Sequence, residues 1–584
     1  MPNNLPRISS VLDLYYGRSP YLDAWLLHFM TENNIEHLAN PQENASPEQL
    51  RFMVDLDENQ VFAPCSDWML KTLLNSKMTD DLRLEYRSKW RQLVTLIKDF
   101  TGDEYTKKKV LALCRHKFQK TTKSPFIIPS RLIKRLLTIF LNQTAQHDPF
   151  EARKREFNKR AKRVIESPFL NRFLSACPSS TMGCQRIQDL RWELDLLELK
   201  RLFCLSTWDD IWKTEHFVPQ SSQVNDELAK VRDEFDQVMT KLMGPELKIE
   251  LKILYLPESA GGIVFDIMII RSLIRQGHKV ILALKEGFYY DYPIYWDYEN
   301  DPVLAEELKG ACFLENHQIS KKDLLKTLRE HDLVVISDGT REKLNLCRTS
   351  VTFARAWKES DLIIAKGKGN YRRLIMTSHK FTRDILAFYR DENGQLHFAF
   401  KEKSPRVRKV TEKEILAKAE RIKRQMRQAK AEGQKVMFYS AIVGSIPGQT
   451  KVAIKVINTF INYLRSRLEG TFIINPAEHF EPGLDGDDLM YMWEIVQRSG
   501  LIDVWRFQTV ADIEKSFELM GQKVPPIWAG KDATFSTGCT KEMQIALEEQ
   551  RKYPEMQIIG PSPEKFFRRR EYGVGKFFDT NIER

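Results

Sequence analysis

The sequence lacks the features of a membrane-spanning or exported protein. No run approaches the roughly 18 uninterrupted apolar residues that a membrane-spanning helix needs. The first 20 residues contain neither an apolar core region nor a cleavage site, so no signal peptide is predicted. The eight cysteines are scattered and form no C-x-x-C pair, which argues against a zinc ribbon or a redox motif. We therefore expect a cytoplasmic protein with reduced thiols and no membrane partner.

The chain also lacks a strong excess of charge of one sign. Its 90 Lys and Arg residues against 79 Asp and Glu residues give a net charge of +11 over 584 residues. This modest excess permits an anionic partner, such as a phosphorylated metabolite or a nucleic acid, without requiring one. Because basic residues are interleaved with acidic ones, as in EARKREFNKRAKR from Glu151, most should lie on solvated helix faces. Nucleic-acid binding is therefore the weakest interpretation.

The sequence does contain clear apolar patterns, and they change along the chain. Residues 1–245 carry apolar residues at helical spacing and predict a helical N-terminal region. In residues 246–405, short apolar runs alternate with helical stretches, which predicts a Rossmann-like, mostly parallel sheet on which the helical subdomain packs. The charged segment 406–434 is typical of a solvated connecting helix. Residues 435–584 repeat the α/β pattern, so the predicted fold class is α/β with a second, C-terminal α/β domain.

Carboxylates follow three of the predicted strands, at the edge of the sheet where such folds bind ligands. Glu258 and Ser259 follow the first strand, Asp291 lies in a tyrosine-rich loop after the second, and Asp338 ends the third. Oxygen ligands from separate strands favour Mg²⁺ or Mn²⁺ over zinc. Asp338 also has a simpler explanation, since an aspartate before Gly339 can cap a turn.

The fourth predicted strand ends in a cationic, glycine-containing turn. Its sequence is AKGKGNYRR, in which Lys366 is the first lysine. Glycine allows a ligand to approach the backbone closely, and lysine supplies a point charge. Together with the carboxylates, this turn predicts a pocket for a metal ion and a phosphate group.

The ordered set of motifs resembles the damage-control phosphatase family, which includes proteins named for acidic-residue methyltransferase activity. The matching segments are, in chain order, FAPCSDWMLKTLL, HDPFEARKREFNKRA, LPESAGGIVFDIMIIRSLIRQGHKVILAL, VVISDGT, LIIAKGKGNYRRL and FAFKEKS. The resemblance covers roughly residues 60–405. It implies a helical subdomain on a Rossmann-like sheet, a divalent metal cofactor (Mn, Mg, Co or Ni) and hydrolysis of small phosphorylated metabolites such as sugar phosphates.

The resemblance also implies which residues hold the metal. In the family, an Asp-Asn pair and a further Asp bind the ion. The matching residues here are Glu258, Ser259 and Asp291, with Asp297 as a reserve for the last. This chain therefore departs from the family pattern at the metal, because glutamate is longer than aspartate and serine is a poorer, neutral ligand.

The remaining site residues are likewise implied by the resemblance. The catalytic residues would be Asp291, Asp338 and Lys366, and the phosphate-binding residues Gly367, Gly369, Asn370 and Lys403. Lys366 and the turn after it would stabilise charge on the phosphoryl oxygens. Asp291 or Asp338 would orient the attacking water or take its proton.

Two other functions remain open from the sequence. An S-adenosylmethionine-dependent carboxyl methyltransferase could bind its cofactor at the glycines after Ser259. No acidic ribose-binding residue is evident after the second strand, where Glu286 is the nearest candidate. A non-catalytic protein could instead bind a phosphorylated metabolite through Lys366. The replacement of Asp-Asn by Glu258 and Ser259 favours this second alternative.

Overall fold

The computed structural model describes residues 5–35, 45–75, 77–176, 187–247, 249–446, 448–479, 481 and 483–571. It divides the chain into two compact units, Met1–Val407 and Arg408–Arg584. The six cysteines in the described ranges are free thiols, and Cys177 and Cys184 lie outside those ranges. Among the described residues, no helix combines the length and the apolar character that crossing a membrane requires.

The first unit contains a seven-stranded sheet. Its strands are β1 (Lys252–Leu256), β2 (Lys279–Leu284), β3 (Cys312–Leu314), β4 (Leu333–Ser337), β5 (Leu362–Lys366), β6 (Asp384–Arg390) and β7 (Leu396–Lys401). The spatial order is β3-β4-β2-β1-β5-β6-β7, and only β7 is antiparallel to its neighbour. The chain reverses direction across the sheet between β1 and β5, and open α/β sheets bind ligands beyond the carboxyl ends of such a strand pair.

Helices cover both faces of this sheet. The helices before it are α1 (Pro20–Asn33), α2 (Pro47–Leu50), α3 (Asp67–Leu73), α4 (Asp80–Phe100), α5 (Glu104–Thr121), α6 (Pro129–Thr144), α7 (Glu151–Ile165), α8 (Pro168–Ser175), α9 (Ile187–Ser206), α10 (Asp210–Lys213) and α11 (Ser221–Met243). Successive residues of a strand point to opposite faces. Leu254 packs in one core with α6, and Tyr255 packs in the other with α9. The N-terminal helices therefore form two layers, one on each face.

Shorter helices connect the strands of the first sheet. They are α12 (Gly262–Arg275), α13 (Asp297–Asn300), α14 (Pro302–Glu307), α15 (Lys321–Glu330), α16 (Val351–Glu359) and α17 (Lys368–Leu374). Of these, α12 follows β1 and α17 follows β5, so both begin at the carboxyl edge of the sheet. The mostly parallel sheet with helices on both faces confirms the predicted α/β fold class.

The second unit contains a smaller parallel sheet, as predicted. Its elements are α18 (Glu412–Ala431), β8 (Lys435–Ser440), α19 (Thr450–Arg465), β9 (Thr471–Ile474), α20 (Gly486–Gln497), β10 (Val504–Phe507), α21 (Val510–Leu519), α22 (Thr537–Lys552), β11 (Gln557–Ile559) and α23 (Pro563–Glu571). The strand order is β11-β10-β8-β9, and all neighbours are parallel.

Helix α18 differs from the solvated connecting helix that the charged segment 406–434 predicts. It buries Ile415, Ala419, Ile422 and Met426 and packs against α20 and β8 within the second unit. These residues recur every three or four positions and form one narrow face. Dense charge on the other faces hides this spacing in the sequence.

Candidate functional site

The ends of β1 and β5 meet at the point where the chain reverses direction across the sheet. Gly367 directly follows Lys366, and its φ of +101° is in the left-handed region that favours glycine. A Cβ atom at this position would overlap the carboxyl group of Glu258. The Glu258 side chain therefore lies against the backbone of Gly367, which brings the first predicted carboxylate next to the predicted phosphate-binding turn.

The turn between β1 and α12 is held by buried neighbours. Gly261 has a φ of +79°, and a Cβ atom there would overlap the indole ring of Trp212. Its amide donates to Oδ1 of Asn158 at 2.5 Å, and Nδ2 of Asn158 donates to Oδ2 of Asp301 at 2.7 Å. Asn158 on α7 thus connects this turn to the segment that follows Asp291. Sequence analysis assigned it no role, because only the fold places α7 beside the strand ends.

Asp291 lies close to the same turn. Its backbone carbonyl accepts a hydrogen bond from the amide of Ala260 at 2.7 Å. Its side-chain Oδ1 is buried and has no hydrogen-bond partner among the described residues. Burial raises the pKa of the Asp291 carboxyl group, and the positive charges of Lys213 and Arg153 oppose this shift. Asp297, the reserve metal ligand, is instead paired with Lys154 at 2.6 Å.

The Glu258 carboxylate also has no hydrogen bond or ion pair with any described residue. Burial raises its pKa, and attraction to Lys343 and Lys366 acts in the opposite direction. Glu258 and Asp291 are half-buried, and a polar group shielded from water normally has a partner, so an unpartnered one calls for an explanation. Two such carboxylates at adjacent strand ends are typical of a site that binds a cation.

Lys366, in contrast, is paired inside the protein. Its Nζ lies 2.9 Å and 3.0 Å from the two carboxylate oxygens of Asp266 on α12, and Asp266 also accepts a 2.9 Å hydrogen bond from the hydroxyl of Tyr255. Lys366 is 2% exposed and Asp266 is fully buried. The positive charge that the sequence assigns to the phosphate is therefore neutralised by a carboxylate 100 residues away along the chain.

Asp338 makes the contacts of a turn cap. Its Oδ1 accepts the amide hydrogen of Thr340 at 2.7 Å, and its Oδ2 lies 2.5 Å from Nζ of Lys285. This arrangement matches the simpler explanation of an aspartate before Gly339. Both oxygens of Asp338 are thus engaged within the protein, and its catalytic role stays a prediction.

The two remaining predicted phosphate-binding side chains are placed differently. Nδ2 of Asn370 donates to the carbonyl of Lys366 at 2.8 Å, so it stabilises the turn. Lys403 is not brought to the site: its side chain is exposed, and its amide donates to Asp384 at the start of β6 at 2.8 Å. Because β7 runs antiparallel, residues that follow it lie at the opposite edge of the sheet from Lys366.

Lys343 is a site residue that sequence analysis did not identify. It lies in the loop after β4, and a Cβ atom on Gly369 would be 3.1 Å from its Cδ and its Nζ. Its Nζ has no hydrogen bond or ion pair within the described part of the chain. Burial and the nearby charge of Arg373 lower the pKa of Lys343 to about 7. The only signal in the sequence was the presence of two basic residues, Arg341 and Lys343, after a predicted strand.

The chemistry of the predicted metal ligands suits a hard divalent ion. Within the described ranges, no three His, Cys, Asp or Glu side chains are grouped so as to hold a metal. The predicted set provides two carboxylates, Glu258 and Asp291, and the hydroxyl of Ser259. The unpartnered, buried Oδ1 of Asp291 is the observation that fits such an ion, because hard cations prefer oxygen ligands.

Comparisons with known proteins identify the family of the first unit's main part. The family model described as "Damage-control phosphatase ARMT1-like domain" matches residues 64–415. The crystal structure of a DUF89 family protein from Pyrococcus horikoshii is similar at 19% sequence identity and a TM-score of 0.35, over 52% of this chain and 90% of that chain. A comparison with curated proteins found no match.

Proposed function

The chain belongs to the ARMT1-like damage-control phosphatase family, and from this membership we propose that it is a metal-dependent phosphohydrolase of small phosphorylated metabolites, sugar phosphates among them. The family predicted from the sequence over residues 60–405 is thereby confirmed. The observation that carries the proposal is the pair of unpartnered carboxylates, Glu258 and Asp291, beside the unpartnered ammonium group of Lys343.

Glu258, Ser259 and Asp291 are the residues that would hold the divalent ion. When bound, such an ion polarises a phosphoryl oxygen and promotes ionisation of water. Gly367 keeps the Glu258 carboxylate close to the backbone of the phosphate-facing turn. Lys366 contributes indirectly, because its pair with Asp266 fixes the end of β5 against α12.

The proposed reaction is hydrolysis of a phosphate monoester. A water oxygen attacks phosphorus, the bond from phosphorus to the ester oxygen breaks, and the products are inorganic phosphate and an alcohol. In this proposal Asp291 accepts the proton of the water, and the raised pKa of its carboxyl group supports this role, because it makes the carboxylate a stronger base. Of the two protons of the water, one passes through Asp291 to the leaving alkoxide, and the other remains on the inorganic phosphate.

The test is phosphate release from p-nitrophenyl phosphate and a panel of sugar phosphates. Each substrate is assayed with Mn²⁺, Mg²⁺, Co²⁺ or Ni²⁺ and with EDTA. Asp291→Asn should lower turnover roughly 10²- to 10⁴-fold, the range for loss of a positioned proton-transfer group. Glu258→Gln should also lower turnover, because it removes a charged ligand of the ion. Glu330→Gln, at an exposed position on α15, is the matched control and should retain full activity.

The absence of phosphate release with every metal, or full activity of Asp291→Asn, would contradict the proposal. The first result would favour the second candidate, a protein that binds a phosphorylated metabolite without turnover. Two observations support that alternative: Ser259 replaces the amide ligand of the family, and the charge of Lys366 is neutralised by Asp266. Binding of a sugar phosphate in calorimetry without release would distinguish the two functions.

A cytoplasmic location is part of the proposal. The free thiols of the six described cysteines suit a reducing compartment. The expected partner is the small phosphorylated substrate, whose negative charge matches the cationic side of the site.

A further inference from the structure

Most buried cations around the strand ends have a carboxylate partner. The pairs are Lys366–Asp266, Lys285–Asp338, Lys154–Asp297 and Arg131–Glu342. Lys343 departs from this pattern, because its Nζ has neither a hydrogen bond nor an ion pair among the residues that the structure describes. Its side chain is only partly exposed. A partly buried charge without a partner costs free energy unless a ligand compensates it.

Arg373, whose charge acts on Lys343, also has no carboxylate among its hydrogen-bond partners in the described part of the chain. Nη1 of Arg373 donates to the carbonyl of Gly369 at 3.0 Å, and its Nη2 donates to the hydroxyl of Ser130 at 2.7 Å. Both partners are neutral. Lys343 lies against the same residue, since a Cβ on Gly369 would be 3.1 Å from Nζ of Lys343. A cationic group from the loop after β4 and a second one from α17 therefore converge on one glycine.

Further positive charge surrounds this pair. Lys89 on α4 donates to the side chain of Gln92 at 3.2 Å, which is again a neutral partner, and Arg372 lies 3.5 Å from Glu85. Arg373, Lys89 and Arg372 all lower the pKa of Lys343, and Glu258 is the carboxylate that acts in the opposite direction. The local charge is thus strongly positive, and like charges in a partly buried region repel.

We propose that Lys343 and Arg373 form the binding site for the phosphate group of the substrate, the role that the sequence motif assigns to Lys366. This anion-binding site rests on the proposed function and deepens it. Its ligand is a phosphate monoester dianion, because two convergent donors with a surplus of positive charge favour a tetrahedral oxyanion. Gly369 allows this arrangement, because a larger residue would move the Lys343 side chain away from Arg373.

The site also explains why Lys366 can be paired with Asp266 in a phosphohydrolase. Lysine at the end of β5 stabilises the turn, and the charge that faces the ligand comes from the loop after β4. The phosphate would then lie between Lys343 on one side and the carboxylates of Glu258 and Asp291 on the other. The divalent ion that Glu258, Ser259 and Asp291 would hold would supply positive charge, which would offset the repulsion between the carboxylates and the phosphate.

The test is binding of inorganic phosphate to the full chain by isothermal titration calorimetry, in EDTA and at low ionic strength. Lys343→Met should weaken binding roughly 10- to 100-fold, the range for one hydrogen bond to a charged group. Lys343→Arg, which keeps the charge, should remain within a few-fold of the unsubstituted protein. Lys326→Met, at an exposed position on α15, removes the same charge outside the site and should leave affinity unchanged.

Folding of each variant is checked by circular dichroism melting in phosphate-free buffer. Gly369→Ala provides an independent variant that keeps every charge, and it should also weaken phosphate binding, because its Cβ would displace Lys343. Undiminished binding by both Lys343→Met and Gly369→Ala would overturn the inference, as would a failure of the unsubstituted protein to bind phosphate.

The two proposals can fail separately. Phosphate binding that depends on Lys343, in a protein without turnover, would leave the anion-binding site standing and refute the phosphohydrolase. Turnover with an unchanged KM in Lys343→Met would leave the phosphohydrolase standing and refute the anion-binding site.

Discussion

Replacing Lys366 with methionine should destabilise the first unit by about 3–5 kcal/mol, which is the cost of breaking a buried ion pair by removing one partner. Methionine keeps the length of the lysine stem and removes only the charge. Asp266 is then left fully buried, with the 2.9 Å hydrogen bond from Tyr255 as a remaining donor. Because the lost contacts are 2.9 Å and 3.0 Å long and both partners are excluded from water, little solvent screening reduces the effect.

The stability lost in the Lys366→Met variant should increase as the pH rises. Burial already raises the pKa of Asp266 above its ordinary value of 3.8, and Lys366 opposes that shift. Without the lysine, the pKa of Asp266 in the folded protein rises further. Between the unfolded and the folded pKa, the folded variant then binds more protons than the unfolded one, so its stability falls as pH rises. The deficit should be smaller at pH 5 than at pH 7.5.

The assay is urea unfolding, with hydrogen exchange of peptides from β1 and β5 to assign the loss to the first unit. The variant with both Lys366→Met and Asp266→Asn should recover much of the stability, since no buried charge remains. Lys343→Met is the control that removes an unpaired lysine, and it should cause no comparable loss. A Lys366→Met protein that is as stable as the unsubstituted one but has lost substrate affinity would refute the internal pairing. It would indicate that Lys366 binds the phosphate group.

Three further predictions concern other buried positions. Gly367→Ala should lower stability by about 1–3 kcal/mol, because the backbone at this position is left-handed, and urea unfolding measures this cost. The same substitution should lower activity, because the new Cβ would displace Glu258, and phosphate release measures this loss. Glu542→Gln should stabilise the second unit by up to about 3 kcal/mol at pH 8, because burial raises the pKa of Glu542 from 4.5 to about 7. In the unsubstituted protein, stability should decline between pH 4.5 and about pH 7, and denaturation of the variant at several pH values should no longer show this decline. Asn158→Leu should cost about 1–3 kcal/mol in urea unfolding, because it leaves the amide of Gly261 without its partner.

Each of these substitutions has a matched control. Gly277→Ala has a similar φ, +90°, but open space around its Cβ, so it should reproduce the backbone cost without the loss of activity. Glu555→Gln is exposed and should leave the pH profile unchanged, and Asn171→Leu on α8 should be neutral. Equal activity losses in Gly367→Ala and Gly277→Ala, an unaltered pH profile in Glu542→Gln, or an equal cost for both asparagines would each contradict the corresponding argument.

The outline of the candidate site was readable from the sequence, because it depends on strand order and turn chemistry. Short apolar runs separated by helices predict parallel strands, and parallel strands bring their carboxyl ends to one edge. Glu258 and the glycine turn after β5 therefore had to lie near each other once β1 and β5 were neighbours. The capping role of Asp338 was equally local, since the side chain of an aspartate can accept a hydrogen bond from the amide two residues later, here that of Thr340.

What only the tertiary structure decided is which charges are paired and which are free. Lys366 and Asp266 are 100 residues apart, and their pairing depends on α12 packing against β5, which no local pattern encodes. The antiparallel direction of β7 places Lys403 at the far edge of the sheet, and packing leaves Lys343 without a carboxylate partner among the residues that the structure describes. Periodicity and turn residues determine on which strand, helix or turn a residue lies. The energy of its charge depends on burial and on neighbours in space, and these exist only in the folded chain.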